Sequence, residues 1–103
     1  LLWPSTFLTI HPDYLLVHRL EPAGAGHTRI VCQWLFEAST IALPGFDPSD
    51  AVDFWHMVNL QDWSICERVQ RGMTSGSFEH GWYAPMEDPS LDIRRWWTAK
   101  MKP

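Results

Sequence analysis

Apolar and polar residues alternate along the first third of the chain, in a pattern that is typical of β-strands. Two such runs, STFLTI and YLLVHRLEP, are separated by the turn-forming tripeptide His11-Pro12-Asp13. A third run, HTRIVCQWLFE, follows a glycine-rich connection at residues 23–26. Three successive strands with short turns predict an antiparallel meander over about residues 3–37. Within the third run the positions predicted to be well buried are Thr28, Ile30, Cys32, Trp34 and Phe36.

The hydrophobic period changes to that of a helix after the linker at residues 38–46. Asp47-Pro48 is a helix start signal, because an Asp side chain accepts from free N–H groups and Pro tolerates the first helical position. Gly72 is the predicted C-terminal cap. We therefore expect a long helix at about 48–71, a loop at 72–88 and a short helix at about 89–101. This order predicts an α+β fold in which the antiparallel meander packs on the long helix.

Asp62 lies near the centre of the apolar side of the long helix when residues are placed at about 100° intervals. A carboxylate on a buried face is costly unless it is paired, hydrogen-bonded or bound to a metal. Two interpretations remain open at this point. Asp62 is either a buried residue satisfied by Asn59, a Trp indole or an Arg, or it is a metal ligand or a catalytic acid–base. The apolar arc contains Ala51, Val52, Phe54, Trp55, Val58, Trp63, Ile65, Cys66 and Val69, together with the polar Asn59 and Gln70.

The composition predicts one folded domain. Hydrophobic residues make up 46% of the 103 residues and charged residues only 19%, which favours a core over disorder. The seven Trp residues are expected to fill a core, line an apolar pocket or form an interface. A net charge of −4 without a basic run argues against a nucleic-acid partner. With no apolar run of about 18 residues and no signal peptide, we expect a cytoplasmic protein without a membrane partner.

The remaining candidate groups indicate no complete catalytic site within the chain. Cys32 and Cys66 are expected to be reduced thiols, although their spacing leaves a disulfide open. The five His residues include no H-x-x-x-H pair, and the Ser and Gly residues form neither a G-x-S-x-G elbow nor a phosphate loop. The chain begins with Leu1 in apolar sequence, which suggests a piece of a longer protein.

The run NLQDWSICERVQRG and the loop after it resemble the end of the catalytic domain in α subunits of Rieske-type aromatic ring-hydroxylating oxygenases. The strands before the helix resemble the corresponding strands of that family. One difference is Phe78, where the family has Tyr in the loop. The positions that carry the resemblance are Asn59, Asp62, Cys66, Glu67, Gln70 and Gly72, followed by Ser75, Gly81 and Glu87.

The resemblance implies a helix-grip, START-like fold and a mononuclear Fe(II) site formed by two His and one carboxylate, with Asp62 as the carboxylate. It also implies that Val52, Trp55 and Val58 line the substrate cavity. The family's two His ligands and its Rieske [2Fe-2S] ligands, Cys-x-His and Cys-x-x-His, are missing from this chain. We therefore expect the C-terminal piece of an oxygenase subunit, inactive by itself.

The function that the resemblance implies is hydroxylation of an aromatic or other small organic substrate with O₂. Electrons would come from NAD(P)H through a reductase or ferredoxin, in a homo-oligomer that is expected to be a trimer. Mono- and dioxygenation both stay open. The alternative is a non-catalytic START-like module that binds a small molecule, with Asp62 as a polar anchor. A third hypothesis is an assembly piece whose Trp-rich surface packs against partner subunits.

Overall fold

Three antiparallel strands form one sheet in the computed structural model, which describes residues 1–102; Pro103 lies outside the described residues. The strands are β1 (Thr6–Ile10), β2 (Tyr14–Pro22) and β3 (Thr28–Phe36), in the order β1-β2-β3. Helix α1 (Ala38–Ile41) follows, and then the long helix α2 (Ser49–Met73). A 3₁₀ turn at Pro85–Glu87 leads into α3 (Asp88–Met101). These elements confirm the predicted α+β class and the antiparallel meander.

The register of the sheet determines which strand residues can face the helix. Leu16 lies opposite Thr9 on one side and Trp34 on the other, and His18 lies opposite Cys32. Directly opposed residues share a face, so Leu16, Trp34, His18 and Cys32 lie on the same side of the sheet. Leu16 is completely buried at the centre of that face. On the other face the side chains of Leu8, Ile10 and Leu35 are exposed.

Helix α2 begins where the Asp-Pro signal predicts. The Ser49 N–H donates to the Asp47 carboxylate at 2.9 Å, and the Val52 N–H donates to the Pro48 carbonyl at 3.0 Å. The hydrogen bonds from Ser49 hold the pKa of Asp47 below its ordinary value. The linker before the helix contains the single turn α1, which the apolar pattern did not predict because four residues carry too little periodicity.

The C-terminal end of α2 differs from the prediction that Gly72 is its cap. The helix continues through Gly72 to Met73. The Thr74 hydroxyl donates to the carbonyls of Gln70 and Arg71, both at 3.1 Å, and the Ser75 hydroxyl donates to the Gly72 carbonyl at 2.7 Å. Gly76, with φ of +82°, adopts the left-handed conformation that a glycine cap would supply. Side-chain hydroxyls and a later glycine therefore end the helix.

The chain divides into two compact units, the first at Leu1–Gln61 and the second beginning at Asp62. The first unit contains the sheet, α1 and the N-terminal part of α2, and its buried side chains are Leu16, Ala51 and Asn59. The second unit contains the C-terminal part of α2, the loop and α3, with a groove lined by Val69, Phe78 and other residues. None of the described helices combines the length and the apolar character needed to cross a membrane.

Candidate metal-ligand position on the long helix

Asn59 connects α2 to two strands of the sheet. It is only 6% exposed and is the one buried polar side chain within residues 1–102. Its Oδ1 accepts from His18 Nε2 at 3.2 Å, and its Nδ2 donates to Cys32 Sγ at 3.6 Å. Because an amide oxygen can only accept, the ring of His18 carries its proton on Nε2 in this arrangement. Both ends of the buried amide are therefore satisfied, one on β2 and one on β3.

Trp55, one turn before Asn59, makes the second polar contact between α2 and the sheet. Its indole N–H donates to the hydroxyl of Tyr14 at 2.8 Å. The Tyr14 ring stacks on His11 with centroids 4.3 Å apart, and the Trp55 ring lies edge-on to His18 at 6.3 Å. A hydrogen bond of this kind contributes about 0.5–1.5 kcal/mol net. Two successive turns of α2 are thus hydrogen-bonded to strands of the meander.

Cys32 belongs to this contact as a neutral thiol. Burial raises its pKa, because the thiolate would lose hydration. Cys66 is exposed, and neither cysteine is in a disulfide. The structure therefore has the free thiols that the sequence favoured, and the disulfide that its spacing left open is not formed.

Asp62 lies three residues after Asn59 on the unbroken helix α2, and its side chain is exposed. No hydrogen bond or salt bridge from any described residue engages its carboxylate. Of the two interpretations that the sequence left open, the buried and hydrogen-bonded Asp62 is therefore contradicted by the structure. One of the partners considered for it, the Asn59 amide, binds His18 and Cys32 instead. The apolar residues Ile65 and Val69 that follow on the helix are exposed as well.

The described residues supply one candidate ligand for iron. Residues 1–102 contain no group of three or more His, Cys, Asp or Glu side chains that could hold a metal ion. Asp62 offers a carboxylate with both oxygens available, which suits the single carboxylate of a two-His, one-carboxylate site. His18 instead binds Asn59, and His11 stacks on Tyr14. The described residues thus supply one of the three ligands of such a site, the Asp62 carboxylate.

The three candidate substrate-contact residues, Val52, Trp55 and Val58, are all half-buried on α2. The indole N–H of Trp55 donates a hydrogen bond to Tyr14, so Trp55 also holds the helix against the sheet. A role in substrate binding stays a prediction for all three.

Sequence reasoning did not single out His18, although a signal was present: it is a polar residue on the strand face that also carries Tyr14 and Leu16.

Comparison with known proteins gives one family and a small set of relatives. The family described as ring hydroxylating alpha subunit (catalytic domain) matches residues 1–103. The glycine betaine monooxygenase oxygenase subunit of Pseudomonas aeruginosa (strain UCBPP-PA14) is 26% identical over 90 residues, which cover 86% of this chain and 21% of that protein. The protein of the same description from Chromohalobacter salexigens is 25% identical over 99 residues, covering 95% of this chain and 22% of that protein. The chain thus spans about a fifth of the length of these relatives. No solved structure matches it.

Proposed function

The chain belongs to the family of ring-hydroxylating α subunits, because the model of the family's catalytic domain matches residues 1–103. We propose that it is part of the large subunit of a Rieske-type non-haem iron oxygenase. In this proposal Asp62 is the carboxylate ligand of the mononuclear Fe(II) site. Two His ligands and the Rieske [2Fe-2S] cluster would come from other parts of the subunit. The observation that carries the assignment is the unpaired Asp62 carboxylate on the long helix of a chain in this family.

The chemistry of the position supports Asp62 in this role. The carboxylate is exposed and makes no competing hydrogen bond to a described residue, so both oxygens are open to a cation. A facial set of two His and one carboxylate leaves coordination positions open, and the bound iron would supply O₂ activation there. The chain's own contribution is to bind the metal through Asp62. The apolar side chains of Val52, Trp55 and Val58 would exclude water and contact the substrate.

The substrate class and the electron donors are part of the proposal. We expect an aromatic or other small organic substrate. The relatives carry glycine betaine in their descriptions, which makes this quaternary ammonium compound the first substrate to test. Trp and Tyr side chains can bind such a cation through their ring faces. Electrons would come from NAD(P)H through a reductase or ferredoxin, and the full subunit would act in the cytoplasm as a homo-oligomer, most simply a trimer.

The experiment that tests the proposed function uses the full-length subunit with its Rieske cluster reduced chemically. Product formation from glycine betaine and from a panel of aromatic acids is measured in a single turnover under O₂. The proposal predicts hydroxylated or demethylated product from one class. It predicts no product from the Asp62→Ala variant and normal product from the Asp53→Ala variant, which removes an exposed carboxylate from the same helix. Binding of a small molecule that never leads to product, and that does not depend on iron or Asp62, would instead favour the START-like binding module.

A further inference from the structure

We propose that Asn59 is a positioning residue that fixes the direction of the Asp62 carboxylate by locking the rotation of α2 against the sheet. The inference rests on the proposed function, in which Asp62 binds iron. It deepens that function by assigning a role to a side chain that does not itself touch the metal. Asn59 acts on Asp62 through the helix backbone, and His18 and Cys32 act on Asp62 by holding the Asn59 side chain in place.

The first support is the way in which the Asn59 amide is bound. Its oxygen accepts a hydrogen bond from His18 on β2, and its nitrogen donates a hydrogen bond to Cys32 on β3. These two strand residues lie directly opposite each other. An amide that is held at both ends across two strands has one orientation. A rotation of the helix about its axis would break both hydrogen bonds at once and leave buried polar atoms unsatisfied, which is costly.

The second support is the spacing on the helix. α2 is continuous from Ser49 to Met73, so Asn59 and Asp62 belong to the same hydrogen-bonded helix. Residues three apart are separated by about 4.5 Å along the axis and project from neighbouring positions on one face. Because the backbone is rigid over a single turn, fixing the rotation at Asn59 also fixes the direction in which the Asp62 side chain leaves the helix.

The third support is that simple attachment of the helix does not require an amide at position 59. The Trp55–Tyr14 hydrogen bond already fastens α2 one turn earlier, at 2.8 Å. A Leu of similar size at position 59 would bury apolar surface without needing two partners. In some proteins a buried polar group selects one arrangement among several that apolar packing alone would tolerate, and the proposal gives Asn59 this role. Supporting groups around a metal ligand typically change metal affinity by about 10–100-fold when they are removed.

The test compares four variants of the full-length subunit: Asn59→Leu, His18→Phe, Tyr14→Phe and Asp62→Ala. His18→Phe removes the donor to the Asn59 oxygen and leaves Asn59 and Asp62 in place, so it serves if Asn59→Leu does not fold. Tyr14→Phe is the matched control, because it removes a helix-to-sheet hydrogen bond that does not involve Asn59. The readouts are the dissociation constant for Fe(II), measured by chelator competition, and the visible spectrum of Co(II) bound at the mononuclear site.

Asn59→Leu and His18→Phe are expected to weaken Fe(II) binding by about 10–100-fold and to alter the Co(II) spectrum. Tyr14→Phe is expected to lower thermal stability without changing either metal readout. Wild-type affinity and an unchanged Co(II) spectrum in both Asn59→Leu and His18→Phe would overturn the positioning role while the proposed function stands. Equal weakening by Tyr14→Phe would also overturn it, since any loosening of the helix would then suffice. Retention of iron by Asp62→Ala would instead contradict the proposed function itself.

Discussion

The hydroxyl of Tyr14 accepts a hydrogen bond from the indole N–H of Trp55 at 2.8 Å, across 41 residues of sequence. Tyr14 begins β2 and Trp55 lies in the first half of α2. The bond therefore joins the start of the meander's central strand to the helix that carries the candidate metal ligand. Together with the Asn59 contacts, it shows that polar groups, and not apolar packing alone, set how this part of α2 lies on the sheet.

Replacing Tyr14 by Phe tests the energetic weight of this bond. The ring and its stacking on His11 are retained, but the Trp55 indole loses its acceptor. We expect a loss of about 1 kcal/mol in the free energy of unfolding, because a half-buried donor is left unsatisfied. The measurement is the apparent melting temperature of the full-length variant by circular dichroism. A melting temperature equal to that of the wild type would show that the bond contributes nothing.

Truncation of the buried Leu16 side chain is expected to cost more stability than truncation of an exposed strand residue. It is fully buried between Thr9 and Trp34 on the face that packs on α2. Leu16→Ala should lower the free energy of unfolding by about 2–5 kcal/mol, because it removes buried methyl groups and leaves a cavity. Ile10→Ala is the control, since Ile10 is 84% exposed and should change stability by less than about 0.5 kcal/mol. Similar thermal shifts for the two variants would contradict the assignment of the core to the face carrying Leu16.

The cap at Asp47 predicts a dependence of helix stability on acid. The pKa of this carboxyl is lower in the folded protein than in the unfolded chain, because Ser49 donates hydrogen bonds to the ionised form. The unfolded chain therefore binds the proton more readily at low pH. The stabilisation by the cap is fully present above the unfolded pKa of about 4 and is lost as the pH falls through the folded pKa.

Asp47→Asn keeps an acceptor for the cap but cannot titrate. We expect the difference in melting temperature between wild type and Asp47→Asn to favour the wild type at pH 6 and to shrink between pH 5 and about pH 2. A difference that stays constant over this range would mean that the Asp47 carboxylate does not cap α2 through its charge.

The strands and the start of the long helix could be predicted because their signals are local. Alternation marks the strands, and Asp47-Pro48 marks the helix start, so both depend on residues close in sequence. The end of α2 was misplaced at Gly72, because glycine is a frequent cap but the hydroxyls of Thr74 and Ser75 serve here. The single turn α1 was not predicted, because its four residues are too few to show a helical hydrophobic period.

The candidate site was harder to predict, since a helical projection gives the direction of a side chain but not what covers it. The projection placed Asp62 on an apolar arc and suggested burial, yet the side chain is exposed. The same projection included Asn59 in that arc, and Asn59 is buried. Its partners His18 and Cys32 lie 41 and 27 residues away in sequence, and only the strand register brings them together. No local pattern carries that information.

The most direct test of the central claim, that Asp62 is an iron ligand, is the mononuclear iron content of the full-length Asp62→Ala subunit. Iron is quantified per protein, and the share in the Rieske cluster is determined separately from its visible and paramagnetic resonance spectra. Because Asp62 is exposed and unpaired, the variant should fold, and without mononuclear iron it should melt at the same temperature as the iron-free wild type. The account predicts a normal cluster with the mononuclear iron lost, and normal amounts of both in the Asp53→Ala control. A full complement of mononuclear iron in Asp62→Ala would contradict it.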